Sequence, residues 1–140
     1  MNVTMTTADW SKIKYFKPSE FNKPERMNFS LIMFLEVFRE LCGKPVIIHS
    51  SFREGDSGQH GLGNAVDIHV KGMNVVDQYL LAEKTGLFNG IGVYPNWNNP
   101  GLHLDVRKGS PARWGCWQVP IYVPLDYSFF KKLYMKEQDK

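Results

Sequence analysis

The stretch Ala65-Val66-Asp67-Ile68-His69-Val70 alternates strictly, and this pattern constrains the fold more than any other feature of the chain. Successive residues of a β-strand point to opposite faces, so Val66, Ile68 and Val70 share one side while Asp67 and His69 share the other. Helical segments come first. Lys17 to Phe21 reads as a turn opening a short helix with Ser19 as its N-cap. From about Asn28 to Cys42, Leu31, Met33, Phe34, Leu35, Val37, Phe38 and Leu41 recur at three- and four-residue spacing. Gly43 closes this helix, and a second helix, about Val75 to Thr85, stops at Gly86.

Strands dominate the middle of the chain. Pro45 to His49 is β-branched and reads as a buried strand, with His49 structural at its end. Gly90 to Tyr94, Leu102 to Val106 and Val119 to Val123 read as further strands, ahead of an amphipathic C-terminal tail. The expected architecture is an α+β fold: one domain over residues 1–140, with a small antiparallel β-sheet packed against helices. Its 140 residues are 43% hydrophobic, enough for a real core.

Charge narrows the function classes. Seventeen basic and 14 acidic residues give a net charge of +3, with the lysines spread rather than gathered into a stripe. That argues against nucleic acid as a partner while suiting work beside an anionic polymer. Cys42 and Cys116 cannot make a disulfide framework; they read as two buried thiols, one bridge being the alternative. No apolar run approaches the roughly 20 residues of a membrane span, and Met1 to Trp10 lacks a secretory pattern. The expectation is a chain made in the cytoplasm, without membrane insertion, acting as a monomer.

The four histidines are not scattered: His49, His60 and His69 lie close along the chain, and His103 sits in a later strand. In His60-Gly61-Leu62-Gly63-Asn64-Ala65-Val66-Asp67 the glycines let the chain turn back unobstructed. His60, Asp67 and His103 can therefore converge as two imidazoles and one carboxylate, leaving a fourth position for water, as a catalytic zinc requires. The spacing equally allows a loop histidine, a strand-end aspartate and a half-buried strand histidine. Tyr94, Trp97, Trp114 and Trp117 either wall a cleft or pack as core rings.

These segments, with Ser51-Phe52-Arg53, Gly90-Ile91-Gly92-Val93-Tyr94 and Leu102-His103-Leu104-Asp105-Val106-Arg107, resemble the zinc D-Ala-D-Ala carboxypeptidase family. That family belongs with the lysostaphin-type endopeptidases and the hedgehog signalling domain. The likeness runs from about Phe16 to Trp114 and is nearest to small phage and bacterial members. It implies a zinc metallopeptidase, binding one Zn2+ through His60, Asp67 and His103, whose substrate is a peptidoglycan peptide. Arg53 matches the arginine that holds a substrate carboxylate or the developing oxyanion. A phage endolysin or virion-associated lysin, reaching the cell wall after release or export, fits the resemblance.

The chain departs from the family pattern at three places. Arg113-Trp114 lacks the usual spacer. The serine expected two residues before the first ligand is displaced to Ser57, with Gly58 in its place, and Ser57 is the candidate for that substrate contact. Pro100 occupies the position of the usual acidic general base. Asp105 is the candidate for that catalytic role, or else it backs His103 and anchors Arg107. His69 shares a face with Asp67 and is a candidate for substrate binding, the alternative being a plain polar strand residue. The competing function is a non-catalytic zinc-containing binding or virion structural module on the same fold.

Overall fold

A computed structural model describes residues 2–138. Among these residues six strands form one sheet: β1 (Val46–Ser50), β2 (Ala65–Val70), β3 (Gly90–Tyr94), β4 (Gly101–Asp105), β5 (Ala112–Gln118) and β6 (Ile121–Val123). Their spatial order is β1-β2-β4-β3-β5-β6. Four helices accompany them: α1 (Thr7–Trp10), α2 (Phe29–Cys42), α3 (Val75–Thr85) and α4 (Tyr127–Gln138). The class is α+β, as expected.

The sheet is antiparallel except between β3 and β5. The expected antiparallel sheet is present, with this one parallel pair as the departure. Asp105, the end of β4, lies opposite Gly90 at the start of β3, and so does Ala112 at the start of β5. Residues 106–111 carry the chain across that end of β3, so β5 sets off in the direction of β3.

Helix termini follow the local chemistry. The Asn28 side chain accepts the Leu31 N–H at the start of α2, and Asn74 accepts the Asp77 N–H at the start of α3. Gly43 and Gly86 end these helices in the left-handed region. The oily residues of α2 (Leu31, Ile32, Leu35, Phe38) pack with Val66, Ile68, Ile91, Val93, Leu102 and Leu104 of the sheet. Phe129 and Leu133 of α4 join the same core. Helices therefore cover one face of the sheet and leave the face of Asp67 to the functional residues.

Several local expectations change. Pro18–Glu20 forms a single 3-10 turn whose leading residue is Lys17, so Ser19 is not a cap; the Glu20 carboxylate instead accepts the Lys17 N–H. β1 is an edge strand, not a buried one, and Ile47 is 40% exposed. The strand expected over Val119 to Val123 is shorter, because the chain turns at Val119-Pro120 before β6. The longer β5 just before it went unread. Cys42 and Cys116 are free thiols, as expected, but only Cys116 is buried; Cys42 is half-buried at the end of α2. Among the described residues no helix is long and apolar enough to cross a membrane.

Candidate metal centre

Strand register assembles the centre on the open face. Asp67 of β2 pairs with His103 of β4, His103 pairs with Gly92 of β3, and Gly92 pairs with Trp114 of β5. Directly opposed residues share a face, so these four form one row across the sheet. A Cβ at Gly92 would collide with the Trp114 indole. The bare glycine lets that ring reach His103, their centroids 5.0 Å apart.

His60 arrives from outside the sheet, at the start of a 3-10 turn spanning His60–Leu62. The glycines beside it are required by space. A Cβ at Gly61 would overlap the Asp56 backbone carbonyl, and one at Gly63, where φ is +75°, would overlap the Arg26 carbonyl. This tight return brings His60 Nε2 to 3.3 Å from Asp67 Oδ1, while His103 Nδ1 lies 3.1 Å from the same oxygen. One donor atom from each residue falls within 4.8 Å of the others, and all three residues are buried. A buried His-Asp-His group thus stands ready to hold a metal ion.

The outer partners decide which atoms face inward. His60 Nδ1 donates to the Ser51 carbonyl at 2.8 Å. His103 Nε2 donates to Asp105 Oδ2 at 2.7 Å. Each ring gives its N–H away from the centre, which turns a lone pair toward Asp67. Two lone pairs aimed at one carboxylate oxygen call for a cation between them. The donor set and its open side therefore fit a metal ion bound by nitrogen and oxygen.

The charges are tuned accordingly. Burial would raise the Asp67 carboxyl, but contact with His103 and His60 outweighs burial and holds it well below the ordinary carboxylate range. Burial would lower His103, but Asp105 and Asp67 outweigh it and raise the imidazole. Asp105 is itself held low, because His103 and Arg107 overcome its burial.

The structure separates the residues that sequence reasoning grouped. Asp105 does not face the cavity: it is fully buried, bound by His103 and by Arg107 Nη2 at 2.7 Å, over the bare Cα of Gly90. It stands in the supporting position, behind the His103 ring and anchoring Arg107. Arg53 does reach the centre, where its Nη2 donates to Asp67 Oδ2 at 3.1 Å and its Nε to Ser50. Of the acidic residues beside it in the loop, Asp56 contacts Arg53, whereas Glu54 pairs with Lys23. Ser57 is exposed on the loop and does not line the cavity beside the triad. His69 does not line that cavity either; it meets His49 further along the face.

A cavity of about 600 Å3 opens onto the three donors, between Arg53 and Gln59 on one side and Tyr94, Trp114 and Tyr122 on the other. Tyr94 and Trp97 stack with centroids 4.3 Å apart, and both line the cavity with Trp114. Trp117 packs on Phe129 of α4 instead, on the opposite face of β5. The open choice between cleft and core thus resolves residue by residue, following the alternation of each strand.

Sequence reasoning named Tyr94 as a ring of cleft or core but missed its hydroxyl. Burial pushes its hydroxyl up to about 12, and its oxygen accepts the Trp114 indole N–H at 3.0 Å. The phenol keeps its own proton at the cavity wall. Its position two residues beyond Gly92, on the same face of β3, was the available signal.

No family model matches this chain, and no curated protein matches it.

Proposed function

We propose that this protein is a zinc-dependent peptidase that hydrolyses the stem peptides of peptidoglycan. One observation carries the reading: two imidazole nitrogens and a carboxylate converge at the floor of an open cavity, each held from behind. Two imidazoles, one carboxylate and a free coordination side suit catalytic zinc. The substrate class rests on the motifs that resemble the D-Ala-D-Ala carboxypeptidase family. Zinc held by His60, Asp67 and His103 would supply Lewis acidity and bring the pKa of water near 7.

The chain's own residues perform the remaining tasks. Arg53 keeps half of its side chain in solvent while bonded to Asp67, so its charge also meets a substrate carboxylate or developing oxyanion. Tyr94 donates its retained proton to a substrate oxygen or to the leaving amine. Trp97 and Trp114 line the peptide's path and exclude water. Asp105 and the Ser51 carbonyl fix the two imidazoles. The enzyme works on the wall after release from the cell or from a virion.

A second reading is favoured by Pro100, at the end of the loop before β4, where its carbonyl accepts a hydrogen bond from Gln78 and no carboxylate is available. On that reading the protein is a zinc-containing binding or virion module without hydrolysis. Mass spectrometry of purified peptidoglycan after incubation separates the two. New fragments are expected that disappear with a chelator and with His103→Ala, and their masses name the bond. An unchanged digest from metal-loaded protein would overturn the peptidase and leave the module.

A further inference from the structure

We propose that His49 and His69 form a second metal site, separate from the triad, that takes a divalent first-row transition ion and binds Cu2+ tightest. This goes beyond the peptidase reading and does not depend on it. The two residues lie on the open face of β1 and β2, where Ile47 pairs with His69. The register then shifts between Ile48 and Ser50, leaving His49 as the extra residue of a bulge. Bulges re-aim a side chain, and here Nε2 of His49 is brought against Nδ1 of His69.

The partners of these rings distinguish them from ordinary structural histidines. Among the described residues neither ring hydrogen-bonds to a carboxylate or a backbone group; each has only the other. Two imidazoles facing nitrogen to nitrogen share a single proton, whereas a cation between them engages a lone pair from both. Imidazole suits Cu2+, Ni2+ and Zn2+, and affinities for one site rise to a maximum at Cu2+.

The surroundings leave room for an ion and its other ligands. His49 opens on a cavity of about 350 Å3 shared with Asp67, Trp97 and Asn99. Asn99 also lines the hollow beside His69, so this residue borders the hollows next to both rings. Water from the open side completes the coordination. Trp97 lies 5.5 Å from the His49 ring, tilted by 33°, and limits its rotation. Asp67 adds a negative charge to the shared cavity while its own oxygens serve the triad and Arg53.

The test uses the full chain, stripped of metal, equilibrated with excess Cu2+ and passed through gel filtration. Bound copper is counted by elemental mass spectrometry and its nitrogen ligands are read by electron paramagnetic resonance. Wild type should keep about two ions per chain, and His49→Ala or His69→Ala about one. A His60→Ala/His103→Ala double variant should keep about one ion with a nitrogen signature, lost on adding His69→Ala. Circular dichroism verifies folding of every variant, since only His49 is exposed, His69 is half-buried and His60 and His103 are buried. A second ion that persists in His49→Ala/His69→Ala overturns the proposal, as does a wild-type copper count that His69→Ala does not lower. If the triad bound nothing, wild type would keep about one ion and His69→Ala none, so the two claims fail separately.

Discussion

His60 and His103 each give one ring nitrogen to a fixed acceptor, the Ser51 carbonyl and Asp105, whereas the rings of His49 and His69, on the same face of the same sheet, hydrogen-bond only to each other. The first pair is buried under the wall of the cavity; the second stands at the sheet edge, where β1 has no further neighbour. The difference teaches that a strand supplies a donor's direction but not its rigidity. Rigidity at the triad comes from outer partners, near and distant in sequence: Asp105 held by Arg107 two residues on, Asp67 held by Arg53, and glycines that let rings and carboxylates approach. Outer partners of this kind raise metal affinity by about 10- to 100-fold, so the triad should bind far more tightly than the edge pair.

The largest effect should come from removing a triad ligand. His103→Ala is expected to weaken zinc binding at the triad by more than about 100-fold, beyond the loss of an outer partner. Calorimetric titration of metal-free protein checks this. Asp105→Asn comes next, with a loss of about 10- to 100-fold, because the His103 ring loses the carboxylate that orients it. If Asp105→Asn titrates like wild type, the contrast between held and unheld imidazoles is broken.

Metal addition should then report through stability. Zinc at 100 times its dissociation constant should stabilise the fold by about 2.7 kcal/mol, seen as a rise in melting temperature, and His60→Ala should abolish that rise. Gly63→Ala should cost about 1 kcal/mol or more in chemical denaturation, since its φ of +75° and the nearby Arg26 carbonyl both oppose a side chain. The smallest effect sharpens the comparison from the other side: His49→Ala should change zinc affinity at the triad by less than about twofold, since no triad ligand hydrogen-bonds to it.

Much of this was legible from local pattern. The alternation of β2 and the apolar spacing and glycine stops of α2 and α3 place these elements within a residue of their ends. His60 and Asp67 were visible because a loop histidine followed by glycines and an alternating strand is a compact signal, and His103 because it sits in a later strand. The missing pieces depend on distant contacts. β5 was unread because Arg113-Trp114-Gly115-Cys116-Trp117 has bulky residues for both faces: Trp114 serves the cavity and Trp117 packs on α4. The place of β1 at the edge is set by strand order, so its β-branched run suggested a burial that the topology withholds. Alternation put Asp105 on the face of His103, but whether it met the cavity or lay beneath depended on Gly90 in another strand.

X-ray absorption at the zinc edge, on protein loaded with one equivalent of zinc, tests the centre of this account most directly. The expected result is a shell of nitrogen and oxygen at about 2.0–2.1 Å with the outer scattering of imidazoles, lost in His60→Ala/His103→Ala. A sulfur shell near about 2.3 Å, or an imidazole signature that survives that double variant, would contradict the assignment of His60, Asp67 and His103 as the principal metal centre.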